Sequence, residues 1–250
     1  MPYFDTQGGK CFYRNWQVSQ PTAVTVLIHG FGEHSGHYHR LALALNSANI
    51  DVWGIDHVGH GLSYGENGFF DSVDELSSNV DVLVELARKK HPNLPLIIVG
   101  HSLGGITATN YVLRYVDKAH GLVLLGTPFD GLIDLDPSVE LIMSKDDFYL
   151  DEIDNDPLKF DTNLSLDNLW HKIGEKTEFF QTNIPSLNLP VTIINGELDC
   201  FATPLIAKKW AQIFKHCKCH IINEGYHDIP NDISHQEVSQ HIISHIKAIV

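Results

Sequence analysis

At 250 residues, 43% of them hydrophobic and 19% charged, the chain has a globular composition that excludes a disordered polymer, and its length suits one domain with a sizeable core. Its formal net charge of −14 argues against nucleic acid as a partner and disfavours anionic membrane surfaces, so any membrane contact is expected to be transient at most. The first ten residues lack the basic and apolar segments of a signal peptide, and no apolar run approaches the length of a membrane span. Cys11, Cys200, Cys217 and Cys219 show no C-x-x-C spacing and read as reduced thiols, so the expected setting is cytoplasmic.

In chain order, strands are expected near 11–18 and 23–28, then near 50–55. The second contains the apolar run Val24-Thr25-Val26-Leu27-Ile28 and leads into His29-Gly30-Phe31-Gly32. The segment 72–90 is the clearest helix. Val73, Leu76, Val80, Leu83, Val84 and Ala87 form an apolar stripe, Ser72 and Glu75 a capping box, and Arg88-Lys89-Lys90 suit the negative end. A buried strand at 95–99 runs into Gly100-His101-Ser102-Leu103-Gly104-Gly105, followed by a helical segment from Leu103 to Tyr115. After a strand near 120–125 the rhythm breaks, and an insertion of approximately 128–188 intervenes. A strand near 190–195, a helix from about Pro204 to Phe214, a strand at 217–223 and a last helix from about Ser234 complete the chain. This alternation predicts a single α/β domain over 1–250, with a mostly parallel central sheet covered by helices on both faces.

A buried strand entering G-x-S-x-G is the nucleophile elbow of the α/β-hydrolase fold. The tight strand-to-helix turn lifts the Oγ of Ser102 above the sheet. Gly100 and Gly104 allow the close packing beneath it. In this fold a carboxylate and then a histidine follow the serine in the chain. The strand near 190–195 ends in Asn195-Gly196-Glu197-Leu198-Asp199, where Asp199 is the expected triad acid and Glu197 its rival. The strand at 217–223 leads to Glu224-Gly225-Tyr226-His227, and His227 is the expected base. The oxyanion requires two donors, expected from the backbone amides of Leu103 and Phe31.

Longer segments resemble one family within this fold. His29-Gly-Phe-Gly-Glu-His-Ser-Gly-His-Tyr38 is similar to the HGxGExSGRY segment of monoacylglycerol lipases and related lysophospholipases. Asp56-His57-Val58-Gly59-His60-Gly61-Leu62-Ser63 resembles their DHRGHGxS segment, and Gly65 to Ser72 the stretch that follows it. Asp156-Pro157-Leu158 resembles a DPL motif in the family's cap, and Glu224-Gly225-Tyr226-His227 its EGxxH segment. His37 and Val58 stand where the family pattern usually has arginine.

The resemblance implies an acyl-enzyme mechanism on a small-molecule ester or lipid, with monoacylglycerol first and lysophospholipid next. A short-chain carboxylesterase, a serine aminopeptidase and a non-catalytic ligand-binding member of the fold are the alternatives. No cofactor is expected. The chain has sixteen histidines, with His29, His34, His37, His39, His57 and His60 crowded together, but no H-E-x-x-H spacing, so no catalytic metal is expected. The insertion reads as a cap. Leu141-Ile142-Met143, Phe148-Tyr149-Leu150 and Trp170 are its candidates for an acyl pocket or for packing within the cap. Its acids, among them Asp130, Asp134, Asp136, Glu140, Asp146, Asp154 and Asp156, read as a solvated face or a screen against anionic substrates.

Overall fold

Every residue of Ala23–Ile28, Ile50–Ile55, Leu96–His101, Gly121–Leu125 and Val191–Gly196 is buried. Strands with no solvent face require cover on both sides, as in parallel sheets wrapped by helices. The computed structural model, which describes residues 2–131 and 141–250, has that arrangement. Its strands are β1 (Tyr3–Asp5), β2 (Lys10–Trp16), β3 (Ala23–Ile28), β4 (Ile50–Ile55), β5 (Leu96–His101), β6 (Gly121–Leu125), β7 (Val191–Gly196) and β8 (Cys217–Ile222). They form one sheet in the order β1-β2-β4-β3-β5-β6-β7-β8. The β1–β2 and β2–β4 pairs are antiparallel, and all others are parallel.

Because side chains alternate across a strand, successive apolar residues feed two separate cores. Val24, Val26 and Ile28 of β3, with Leu96 and Ile98 of β5, pack under α2 (Val73–Lys90), α3 (Leu103–Arg114) and α6 (Pro204–Ala211). Leu27, Ile97 and Val99 face the other way, against α1 (His39–Ser47) and α7 (His235–Lys247). The expected stripe of α2 is buried throughout. Its capping box differs in one partner: the Ser72 hydroxyl accepts the Glu75 amide at 3.1 Å, but the Glu75 carboxylate accepts the Asp71 amide rather than that of Ser72. The first long strand ends at Trp16, short of the expected residue 18, because the Val18 amide turns to the buried Asp51 carboxylate.

Two elements go beyond the expected set, β1 and α1. The nine residues of α1 bury only Leu41, Ala42 and Leu45, too short a stripe to stand out in the sequence. Between β6 and β7 the described chain carries α4 (Asp147–Asp154) and α5 (Leu166–Asn183). Asp134, Asp136 and Glu140 lie outside the described residues. Among the described residues, no helix is long and apolar enough to cross a membrane.

Candidate active site

The turn from β5 into α3 places Ser102 at the helix N-cap with φ 51° and ψ −117°. A non-glycine residue in that region is strained and persists only where its surroundings hold it. The surroundings here are two backbone contacts: a Cβ on Gly100 would collide with the Gly104 carbonyl, and one on Gly104 with the Ile28 carbonyl. The Ser102 amide donates to Leu125 O at 2.9 Å, tying the turn to β6.

Asp199 and His227 arrive from the loops after β7 and β8. His227 Nε2 lies 3.0 Å from Ser102 Oγ, and Nδ1 lies 3.0 Å from both Asp199 carboxylate oxygens. Asp199 Oδ1 also accepts the Phe201 and Ala202 amides, each at 2.9 Å. Asp199 and His227 are buried, while the hydroxyl of Ser102 faces a cavity of about 390 Å³. Glu197, the rival acid, is exposed and accepts the Glu224 amide instead. Of the expected oxyanion donors, Phe31 lines the same cavity and Leu103 begins α3 directly after the serine. Among the described residues, the amides of Phe31 and Leu103 have no backbone or side-chain acceptor. The Phe31 ring packs edge-on against His60 at 5.4 Å. Burial pushes His60 down to about 4 and the neighbouring His57 down to about 3, so both are neutral packing groups at physiological pH.

Beneath these residues lies a buried polar cluster that the sequence patterns did not single out. Glu33 Oε2 accepts the Gly30 amide (2.6 Å), the Tyr38 hydroxyl (2.6 Å) and His101 Nδ1–H (3.1 Å). His101 Nε2–H donates to the His227 carbonyl at 3.0 Å. The Tyr38 hydroxyl also lies 2.8 Å from Nδ1, but it donates its one proton to Glu33, so with acceptors at both ring nitrogens His101 is held towards its doubly protonated form. Burial opposes that charge, but Glu33, with help from Asp228, outweighs it and pushes His101 up to about 9. The pKa of Asp228 is also raised, by burial together with the nearby Glu33 charge. Tyr149 of α4 donates to Glu33 Oε1 at 3.1 Å and contacts Asp228 Oδ2. The cluster thus joins the Gly30–Phe31 turn, the His227 loop and the inserted segment. Glu33, His101 and Asp228 lie close enough to hold a cation, but the donors already converging on Glu33 leave it no free face.

A histidine whose folded pKa exceeds its unfolded value stabilises the fold most while both states are protonated. The contribution of His101 is therefore full below about 6.5 and lost as pH rises through about 9. The urea midpoint should fall across that window, and His101→Gln should flatten the fall; an unchanged slope in the variant would contradict the buried imidazolium.

Of the expected pocket residues, Leu141, Met143, Tyr149 and Trp170 line the cavity, whereas Ile142, Phe148 and Leu150 do not. Phe148 is 83% exposed. Several acids of the insertion are committed to pairs with sequence-distant bases: Asp146 with Arg40 (2.7 Å) and Asp130 with Lys209 (2.8 Å).

The family described as "Serine aminopeptidase, S33" matches residues 19–145 of this chain. A protein named monoacylglycerol lipase from Mycolicibacterium smegmatis is 37% identical over 120 residues, covering 48% of this chain; this chain spans only 43% of that relative's length. A human protein named monoglyceride lipase is 25% identical over 273 residues, covering 94% of this chain and 90% of its own length. The solved monoacylglycerol lipase of Paleococcus ferrophilus superposes with a TM-score of 0.80 at 22% identity, over 96% of this chain and 99% of that one. The shared fold is that of the α/β-hydrolases.

Proposed function

This chain belongs to the serine aminopeptidase S33 family, and from that membership and the site geometry we propose that it hydrolyses carboxylic esters through an acyl-enzyme. The observation that carries the reading is the Asp199–His227–Ser102 hydrogen-bonded chain opening on an apolar cavity. His227 Nε2 takes the Ser102 proton as Oγ attacks the ester carbonyl, and Asp199 stabilises the imidazolium that forms. The Phe31 and Leu103 amides receive the oxyanion, each worth about 2.7–4 kcal/mol of transition-state stabilisation. Collapse of the tetrahedral intermediate breaks the C–O bond, and His227 returns the proton to the leaving alcohol. Water, activated by the same imidazole, then releases the acid. The three side chains and two amides supply every proton transfer and charge contact, so the reaction requires no cofactor.

The substrate we favour is a monoacylglycerol or a similar neutral ester of medium to long chain. Relatives bearing that name support it. So does the cavity, to which Phe31, Ile153, Leu166, Leu169, Trp170 and Phe201 contribute apolar surface. The family description also raises an aminopeptidase, which requires a carboxylate for the substrate's ammonium group. The cavity's acids among the described residues are Glu33 and Asp228. Glu33 is consumed by four donors, and Asp228 is engaged by the Tyr149 hydroxyl and the Asn231 side chain, so neither is free for that task. In this reading residues 128–188 act as a cap, and membrane contact is transient. Four free cysteines support a reducing, cytoplasmic setting.

A series of neutral esters from acetyl to palmitoyl tests the substrate class. Burying each added methylene is worth about 0.8 kcal/mol, so kcat/KM should rise about fourfold per carbon until the cavity is filled. A maximum at acetyl would make the protein a short-chain carboxylesterase, and cleavage of aminoacyl amides alone would favour the peptidase.

A further inference from the structure

His34 and His37 belong to the core, one preceding and one within the 3-10 turn Ser35–Tyr38, whereas Asp156 belongs to the inserted segment just after α4. Both Nε2 atoms lie 2.6 Å from the same oxygen, Asp156 Oδ2. Both imidazoles are buried, and the Asp156 side chain is only 10% exposed. We propose that His34, His37 and Asp156 form a site for a divalent transition metal of the Zn²⁺ class, joining the inserted segment to the core.

The donor set is two imidazoles and one carboxylate, the ligand types that zinc takes in three-ligand sites. Their ligand atoms all lie within 4.8 Å of one another. Tetrahedral Zn²⁺ spaces its ligand atoms about 3.3 Å apart, so the 2.6 Å contacts must widen by about 0.7 Å. Asp156 is the residue free to recede, since it lies in the turn between helices. Its other oxygen is held by the Leu158 amide at 2.8 Å, which leaves Oδ2 as the ligand.

The tautomers can be exchanged: the ion replaces the two Nε2–H bonds to Asp156, and one further contact is lost. The histidines now donate Nε2–H to Asp156; an ion requires the lone pairs there and the protons on Nδ1. His37 Nδ1 is buried without a hydrogen-bond partner, so at that ring the exchange gives up only the Nε2–H bond to Asp156, which the ion replaces. His34 Nδ1 accepts the Gly36 amide at 3.0 Å, and that one contact is given up. An open cavity of about 460 Å³ borders the three residues and provides an entry path and room for a water as fourth ligand. Glu152 adds negative charge to its rim, and Arg14 opposes it.

His37 stands where the resembled motif has arginine, a side chain with no lone pair to give a metal. The resembled motif would not supply this ligand, and the site is independent of whether the chain hydrolyses esters. Because His37 also lines the substrate cavity, a bound ion would fix the inserted segment beside it.

The test is titration of the metal-free full chain with Zn²⁺, followed calorimetrically and by thermal unfolding, and with Co²⁺, followed by visible absorption. We expect one ion per chain, a rise in Tm that grows with Zn²⁺ concentration, and a Co²⁺ spectrum of low coordination number. His37→Arg, which retains a hydrogen-bond donor for Asp156, and Asp156→Asn, which retains its shape, should each bind about tenfold more weakly or worse. No binding by the wild type, or equal binding by whichever variants fold, would overturn the site and assign any uptake to surface histidines.

Discussion

Ser102→Ala is expected to lower kcat for ester hydrolysis by about 10⁴–10⁶ while leaving the fold intact. The loss is large because, in the proposed mechanism, the hydroxyl oxygen is the atom that is acylated. Without it only the oxyanion donors and the cavity remain, and these alone sustain a small residual rate. The fold should survive because the elbow's strain lies in the backbone. Serine and alanine carry the same Cβ, so both meet the same cost at φ 51°. The hydroxyl's hydrogen bond is to His227, at a group open to the cavity. Kinetics with a neutral ester and urea unfolding of both proteins check the two halves. A variant that retains a tenth of the rate would remove Ser102 from the mechanism.

Asp199→Asn is expected to cost about 10⁴ in kcat, whereas Glu197→Gln should remain within about twofold of wild type. The geometry gives a reason beyond loss of charge. Asp199 Oδ1 accepts two backbone amides, from Phe201 and Ala202, so the oxygen of an asparagine stays there. Its NH₂ group then occupies the Oδ2 position, 3.0 Å from His227 Nδ1, while Oδ1, at the same distance, already serves the two amides. A donor at that point requires the lone pair of Nδ1, which drives the proton to Nε2. The imidazole then presents N–H to Ser102 and cannot act as its base. Glu197 does not contact His227, and its exposed carboxylate only receives the Glu224 amide. The reverse ranking of the two variants would move the acid's role to Glu197.

Much of this was legible in the sequence, for local reasons. Strands buried on both faces announce themselves as unbroken apolar runs, and α2 as a stripe with caps at both ends. Ser102 and Asp199 follow closely on such strands and His227 on the half-exposed β8, so the chain order of the proposed serine, acid and base could be read without knowing how they meet. What stayed hidden depends on residues far apart in the chain. The cluster under the triad draws Glu33, Tyr38, His101, Tyr149 and Asp228 from separate segments, and nothing in the spacing of any one of them marks its burial. The crowd of histidines near residue 30 likewise reads as one feature but divides in space. His29, His57 and His60 pack together as neutral rings, while His34 and His37 turn to Asp156. The acidic insertion reads as a solvated face because its partners, Arg40 and Lys209, lie outside it.

The central claim is that Ser102 is a nucleophile activated by His227. A fluorophosphonate tests it directly, since it bonds covalently to an activated serine whatever the natural substrate. Intact mass and peptide mapping should show one adduct per chain, on Ser102, formed in wild type and absent from Ser102→Ala. Folded wild-type protein that takes up no phosphonate, or that takes it up equally in the variant, would contradict the account and favour a ligand-binding role for the same cavity.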